Sequence, residues 1–278
     1  MRHFIAVVAV VVAVATGACS VRSISFQPDA PPPPPDAPPD APPGRFACLG
    51  MGPGQVHETV TISATVQDAL NGKFQGVTSV SVEVFETNGI KFVPTMSVNV
   101  VTGGPDDGKA VYSVSHSTGG AQRDIYFHVH ANGYLDTYYY PALHLVADLH
   151  ADPILMFPTD AMAQLAGALN QMGLMVTPDP SKAAVIVGVV DCQDAALGAA
   201  KVKITPSAGT MVYLDSGVNP NVNATETDPT TGAALIINAP PLSITVDATV
   251  AGMALYGHPI TGFAGSVTQT EVMPGYPQ

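Results

Sequence analysis

The sequence predicts an all-β protein of two tandem antiparallel β-sandwiches joined by a short linker helix, and three observations predict this fold class. Thr, Ser, Val, Gly and Pro dominate the body of the chain, and these residues are typical of strands and turns. Short segments alternate between polar and apolar residues, which is the period of a strand with one buried face. The order of strands and turns recurs after residue 183, which indicates a duplicated domain.

The chain begins with the pattern of a secretory signal. Arg2 precedes an apolar run over residues 5–15, too short for an ordinary membrane span, and small residues at 16–18 lead to Cys19. The segment resembles a bacterial lipoprotein signal, which implies that residues 1–18 are removed and that acylated Cys19 holds the protein on a membrane. This resemblance implies an outer-membrane lipoprotein of the cell envelope, facing the periplasm or the cell surface. The alternative is a plain secretory cleavage that leaves Cys19 as a free thiol.

Residues 19–45 are predicted to be a disordered, proline-rich stalk that follows the lipid anchor. The tract PDAPPPPPDAPPDAPP has few backbone donors and little apolar surface, and it favours extended polyproline II. At about 3.1 Å per residue this tract would span roughly 50 Å.

The overall charge excludes one class of partner. The chain has 10 Lys and Arg residues against 22 Asp and Glu, a formal net charge of −12. Binding to phosphates needs clustered basic residues, so nucleic acid is not an expected partner.

The first sandwich is predicted over residues 46–156. Three of its strands alternate clearly between the two faces. Their apolar positions are Val60, Ile62, Ala64 and Val66, then Val80, Val82 and Val84, then Ile125, Phe127 and Val129. Turn sequences such as Asn71-Gly72 and Asn132-Gly133 separate the strands.

A helix is predicted within the linker, residues 157–182. Thr159 is the expected N-cap and Gly173 the expected end. Between them lies one apolar stripe, formed by Met162, Leu165, Leu169 and Met172. We expect this stripe to pack on one or both sandwiches, and the alternative is a docking helix for another protein.

The second sandwich is predicted over residues 183–278, and it repeats the first. Val185, Val187 and Val189 lead to Asp191, as Val66 leads to Asp68 in the first domain. In each domain a loop then precedes a strand of alternating apolar residues.

These segments resemble the carboxypeptidase regulatory-like domain, a transthyretin-like β-sandwich often appended to secreted bacterial proteins. The resemblance rests on Val-x-Asp at 189–191, on Gly-Ala before alternating apolar residues at 198–204, and on Gly133-Tyr134. The second domain departs from the pattern because Gly252-Met253 stands where Gly-Tyr is expected. The resemblance implies a fold and no particular activity. With the stalk and Cys19, the whole chain resembles lipoproteins of the myxobacterial kind.

Two histidines raise the question of a metal. His128 and His130 lie two residues apart on a predicted strand, so their rings project from one face, where they could bind zinc, copper or iron. The segment also resembles intradiol dioxygenases, which hold ferric iron with tyrosines and a His-x-His pair. Aligned on Gly133-Tyr134, however, the pair is displaced by two residues. We expect solvent-facing histidines and no cofactor, and we keep a metal-dependent enzyme as the alternative.

Two of the three cysteines form a candidate disulfide. Cys48 and Cys192 remain once Cys19 is acylated, and an even pair in an oxidising compartment predicts a bridge between the two domains. Such a bridge requires Cα atoms within about 7 Å, which the sequence leaves open.

The function predicted from these observations is non-catalytic. An envelope-anchored protein would present two sandwiches for binding carbohydrate or another envelope protein, or for spacing. The chain has no Trp, so the candidate aromatic binding surface consists of Tyr134, Tyr138, Tyr139 and Tyr140.

Overall fold

The computed structural model describes residues 44–276, and over these residues the chain forms sixteen strands and one helix. The first half contains β1 (Thr59–Asp68), β2 (Ser79–Glu86), β3 (Lys91–Asn99), β4 (Ala110–Ser117), β5 (Ile125–His130), β6 (Thr137–Tyr140) and β7 (Leu149–Met156). The helix α1 (Ala161–Gln171) follows. The second half contains β8 (Ala183–Val189), β9 (Ala200–Thr205), β10 (Thr210–Leu214), β11 (Pro220–Asn221), β12 (Ala233–Ala239), β13 (Ser243–Val250), β14 (Met253–Ala254), β15 (His258–Thr261) and β16 (Val267–Val272).

The all-β prediction is confirmed. Cys19, the signal segment and the proline tract lie outside the described residues. Within residues 44–276, no helix has the length and apolar character needed to cross a membrane.

The strands form three sheets. The largest has nine strands in the order β11-β10-β12-β8-β16-β6-β5-β2-β3, and we call it the shared sheet because both halves contribute strands. A three-stranded sheet has the order β4-β1-β7, and in a four-stranded sheet β13 pairs with β9, β14 and β15.

Strand pairing repeats between the halves. β1 pairs with β4 antiparallel and with β7 parallel, and β8 likewise pairs with β12 antiparallel and with β16 parallel. The antiparallel pair β2–β5 has its counterpart in β9–β13. The expectation of purely antiparallel sheets is therefore wrong. β7 and β16 each cross from the opposite layer instead of following a hairpin, so they can join in parallel.

The C-terminal strand β16 merges the two halves. It lies between β6 and β8 and pairs in parallel with both, so one sheet runs through the whole body. Two separate sandwiches in tandem are thus not found in that form, because the halves share a layer.

The two hydrophobic cores lie on opposite faces of the shared sheet. In register, His128 pairs with Tyr138, Tyr138 with Thr268 and Thr268 with Val185, so these side chains point to one face. Val185 belongs to the second core, whereas Phe127 belongs to the first. The reason is that the first half contributes β2, β3, β5 and β6 to the shared sheet, whereas the second half contributes β8, β12 and β16, the counterparts of the three-stranded sheet of the first half.

Helix α1 packs on both halves, since Ala161 at its start belongs to a cluster with Ala69 of the first half and Ala184 of the second. Its buried Leu169 belongs to a cluster with Val212 and Leu235 on the shared sheet. The predicted N-cap differs, since Asp160 takes that position instead of Thr159 and its side chain makes no capping hydrogen bond. Met172, expected in the apolar stripe, is 41% exposed, because the helix ends there.

Residues 44–52 pack on the second half, although the sequence assigns residues 46 onwards to the first. Cys48 forms a disulfide with Cys192, with Cα atoms 5.6 Å apart. The amide of Gly50 donates to the carbonyl of Pro274 at 3.2 Å. Residues 44–52 therefore join the body beside its C-terminal residues.

Candidate binding face

One face of the shared sheet remains partly exposed in the first half. The side chains on this face alternate with those of the first core along β2, β5 and β6. We call it the open face and define it by Ser81, Glu83, Phe85, Lys91, Thr95, Ser97, Tyr126, His128, His130, Asp136, Tyr138 and Phe263. Sheet pleating dictates this grouping, since residues two apart on one strand share a face.

A ladder of charged groups crosses the open face. Lys91 Nζ donates to Glu83 Oε1 at 2.6 Å, and Thr95 Oγ1 donates to the same oxygen at 2.7 Å. The other carboxylate oxygen of Glu83 lies 3.0 Å from His128 Nδ1. The bond from Lys91, with a further one from Thr95, lowers the pKa of the Glu83 carboxyl to about 2. Glu83 is therefore a fixed anion at any physiological pH.

Asp136 continues the ladder on the other side of the histidines. Its Oδ1 lies 2.6 Å from His130 Nδ1, and its Oδ2 lies 3.5 Å from His128 Nε2. Each imidazole is thus held by a carboxylate, as orienting partners hold histidines at functional sites.

Two rows of stacked rings lie beside the ladder. In the first row Tyr138 stacks between His128 and Phe263, with ring centroids at 4.6 and 3.8 Å. In the second row Tyr126 stacks between Phe85 and Tyr140, at 5.3 and 5.0 Å. Cross-strand neighbours stand close enough to stack in this way. Both faces of Tyr138 and of Tyr126 are therefore covered by neighbouring rings.

The four predicted tyrosines do not form one surface. Tyr139 is buried in the first core and Tyr140 in the second. Tyr134 packs edge-on against Phe74 and donates its hydroxyl to Asp68 at 2.6 Å. Of the four, Tyr138 lies on the open face. Strand alternation turns neighbouring tyrosines to opposite faces, which a run of three in sequence conceals.

Burial raises the pKa of the Tyr138 phenol to about 12, and the nearby Asp136 acts in the same direction. The hydroxyl therefore stays protonated and can both donate and accept a hydrogen bond.

His128 and His130 do share a face, as expected, but they are not both solvent-facing. The side chain of His128 is 22% exposed and that of His130 is 55% exposed. Both rings are also held in place, because Glu83 contacts His128 and Asp136 contacts His130. Within residues 44–276, no three His, Cys, Asp or Glu side chains are grouped as a metal site would require.

Sequence reasoning missed four residues of this face. Glu83 lies on the polar side of an alternating strand, and Asp136 follows the Asn132-Gly133 turn, so the sequence indicates only weakly that either belongs to a functional surface. No sequence pattern indicates Lys91 or Phe263. Lys91 contacts Glu83 across a strand pair, and Phe263 comes from the other half of the chain.

No protein-family model and no curated protein matches the chain. It is similar to the solved TIE protein of Bacillus anthracis, with 10% identity and a TM-score of 0.23, over 77% of this chain and 34% of that protein. It is similar to the shaft pilin SpaA of Lactobacillus rhamnosus GG, with 13% identity and a TM-score of 0.22, over 78% of this chain and 97% of the pilin. It is also similar to GBS52, a minor pilin of Streptococcus agalactiae, with 9% identity and a TM-score of 0.22, over 77% and 95%. At such scores the backbones do not superpose over their length.

Proposed function

We propose that this protein is a non-catalytic, envelope-anchored lipoprotein that displays the open face to another envelope protein. The observation that carries the proposal is the open face itself, a partly exposed sheet surface whose side chains are already locked by hydrogen bonds and stacking. Such a surface loses little conformational entropy on binding. Tyr and other aromatic residues are also enriched at protein interfaces.

The stacking favours a protein partner over a carbohydrate. A sugar-binding platform needs a free aromatic face, and the faces of Tyr138 and Tyr126 are covered on both sides by neighbouring rings. What the open face offers instead is ring edges, hydroxyls and paired charges.

The anchoring part of the proposal rests on the lipoprotein signal and Cys19. Replacing Cys19 with Ala should move the protein from the membrane fraction to the soluble fraction, because two or more acyl chains are needed for stable membrane binding. Fractionation followed by immunoblotting measures this. A soluble wild-type protein, or a membrane-bound variant, would reject the anchor.

The display part is tested by site-specific photo-crosslinking in cells. A photoreactive residue at Ser97, which shares a row of the open face with Ser81 and His130, should crosslink to an envelope protein. The same residue at exposed Ser115 on β4 should not, which makes it the matched control. Equal crosslinking at both positions, or none at Ser97, would contradict the proposal. Glycan binding by the soluble body that Tyr138→Ala abolishes would instead favour carbohydrate.

One observation favours the alternative, a metal-dependent enzyme. A carboxylate holds Nδ1 of both His128 and His130, the arrangement that orients metal-binding histidines. Stoichiometric zinc, copper or iron in the purified body, lost in a His128→Ala/His130→Ala variant, would move this alternative ahead.

A further inference from the structure

An apolar pocket lies between helix α1 and the shared sheet, and we call it the α1 pocket. The cavity measures about 110 Å³. Its walls come from α1, from Ile186 and Leu235 on the sheet, and from residues 214–220, and they are apolar apart from Gln164. Gln164 is also the exposed member of the lining, whereas the others are buried or half-buried. The pocket is therefore recessed in the body of the protein.

The α1 pocket is a gap between two hydrophobic clusters. Phe157 and Ala161 belong to the cluster at the start of α1, and Leu165 and Leu235 to the cluster nearer its end. Ile186 packs against both clusters. The helix is thus held on the sheet at two places, with the cavity between them. Protein interiors contain few voids larger than a water molecule, so a gap of this size is unusual.

Three apolar side chains of the wall contribute to no core. Leu70, Leu214 and Val218 line the pocket, yet they belong to none of the hydrophobic clusters formed by the described residues. They come from the loop after β1, the end of β10 and the turn that follows β10. What these side chains have in common is therefore the pocket itself.

The backbone is strained at one of these positions. Val218 has a φ of 64°, in the left-handed region that β-branched residues rarely adopt. The turn is fixed by the Asp215 carboxylate, which accepts from the amides of Gly217 and Asn219, both at 2.9 Å. Glycine or asparagine would adopt this φ more easily, but neither would place an apolar side chain here, where Val218 is 6% exposed. Such strain is concentrated at functional sites.

Water is a poor occupant of the α1 pocket. A buried water needs two to four polar partners. The side-chain amide of Gln164 already donates to Asp160 at 2.8 Å, and the other lining side chains are hydrocarbon or, at Met162, a thioether. An apolar cavity of roughly 150 Å³ in another protein stays dry and binds benzene, so a space of this size and lining suits a similar molecule.

We propose that the α1 pocket binds a small aromatic hydrocarbon. A single six-carbon ring matches the volume and, being rigid, loses no internal freedom on binding. Two lining residues are suited to contact with an aromatic ring, Phe157 through its own ring and Met162 through its sulfur. A ligand with a charged or strongly polar group would bury that group without partners.

The α1 pocket lies on the face of the shared sheet opposite the open face. Ile186 pairs with Gln269 and Gln269 with Tyr139, whose side chain lies in the first core. Tyr138, the preceding residue on β6, points to the open face. A protein bound to the open face would leave the pocket accessible, so this proposal does not depend on the proposed function.

The test uses the full chain with a Cys19→Ala substitution, so that neither an acyl chain nor detergent competes for the pocket. Chemical shifts are followed by NMR during titration with benzene and with pyrazine. Pyrazine has the shape of benzene but carries two ring nitrogens, which would be buried without hydrogen-bond partners. We expect saturable shifts at Leu165, Ile186 and Leu235 with benzene, and binding of pyrazine that is weaker by roughly tenfold or more.

Two variants change the walls of the pocket. Ala168→Leu, on the lining side of α1, fills the cavity and should weaken benzene binding by at least roughly tenfold. Ala163→Leu is the matched control, because it makes the same change on the exposed side of α1 and should leave binding unchanged. Val218→Asn is compatible with the left-handed backbone but makes the wall polar, and it should weaken benzene binding by roughly tenfold. Should Ala168→Leu fail to fold, Val218→Asn and pyrazine still decide the question.

The proposal is overturned if benzene produces no saturable shifts around the α1 pocket. It is equally overturned if pyrazine binds as tightly as benzene, or if Ala163→Leu and Ala168→Leu weaken binding to the same degree.

Discussion

At the residue scale, two buried aspartates hold equivalent loops in the two halves. Asp68 accepts hydrogen bonds from the amides of Leu70 and Asn71, both at 2.7 Å. Asp191 likewise accepts from the amides of Gln193 and Ala195, at 2.9 and 3.1 Å. The Val-x-Asp pattern therefore marks a loop-closing side chain in both halves, and its role is structural.

The two aspartates differ in the side chain that donates to their other carboxylate oxygen, Oδ2. Asp68 accepts from the Tyr134 hydroxyl at 2.6 Å, and Asp191 accepts from Arg45 Nε at 2.8 Å. The second half lacks the Gly-Tyr of the pattern, and Arg45, close to the start of the described residues, takes the place of the tyrosine. A buried carboxylate needs such partners, which explains why the chain folds back on the second half.

His258 makes the folded protein sensitive to acid. Burial, with nearby His144 acting in the same direction, lowers the pKa of His258 from 6.5 to about 4. The unfolded chain therefore binds a proton more readily than the folded one between these values. The free energy of unfolding should be highest above pH 6.5 and fall as the pH drops towards 4, by on the order of 3 kcal/mol from this residue.

Urea unfolding of the wild type and of His258→Gln at pH 7 and pH 4.5 measures this effect. The variant should lose less stability between the two pH values, while His57→Gln, at an exposed ring on the segment before β1, should behave as the wild type. The other charged or titratable groups that line the small pocket beside His258, where the two halves meet, are Asp124, Tyr140, His144 and Tyr256, and they are unchanged in both variants. Parallel pH curves for the wild type and His258→Gln would contradict the prediction.

At the element scale, one side chain on β16 connects the shared sheet to β7 of the three-stranded sheet. Gln269 on β16 is 6% exposed, accepts from the amide of Leu155 on β7 at 3.1 Å, and donates to the carbonyl of the same residue. An amide side chain fits here because one donor and one acceptor are offered by a single backbone residue.

Replacing Gln269 with Leu should lower the free energy of unfolding by about 2 to 4 kcal/mol. The two side chains have similar volume, so the loss comes from leaving the amide and carbonyl of Leu155 without their partner. Chemical denaturation measures it, with Gln164→Leu on the exposed surface of α1 as the control. A loss below about 0.5 kcal/mol, the usual range of surface substitutions, would show that water replaces the side chain.

At the scale of the whole molecule, the disulfide closes a loop that contains the entire first half. Cys48 and Cys192 are separated by 144 residues. The bond between them fixes residues 44–52 to the second half, independently of the contacts that the first half makes. The open face therefore lies mainly on the half to which residues 44–52 are not bound.

Thiol labelling of the denatured, unreduced body should find no free cysteine at positions 48 and 192. For a loop of this length the chain-entropy relation gives about 5 kcal/mol as an upper figure, so a Cys48→Ser/Cys192→Ser variant should unfold at lower denaturant concentration. Two labelled thiols per chain in the wild type would refute the bridge.

The sequence by itself determined the strands, the duplication and the residues at the disulfide. Alternation places Val60, Ile62 and Phe127 inside because burial follows the pleat, which is a local property of the chain. It also placed His128 and His130 on one face for the same reason.

Only the tertiary structure decided how the halves meet and what surrounds the site. β16 pairs with β6, a strand that ends more than a hundred residues earlier, and the partners of His128 come from β2 and from the start of β6. Such contacts depend on which sheet edges remain free once each half has formed. A pattern with a two-residue period contains no information about that choice.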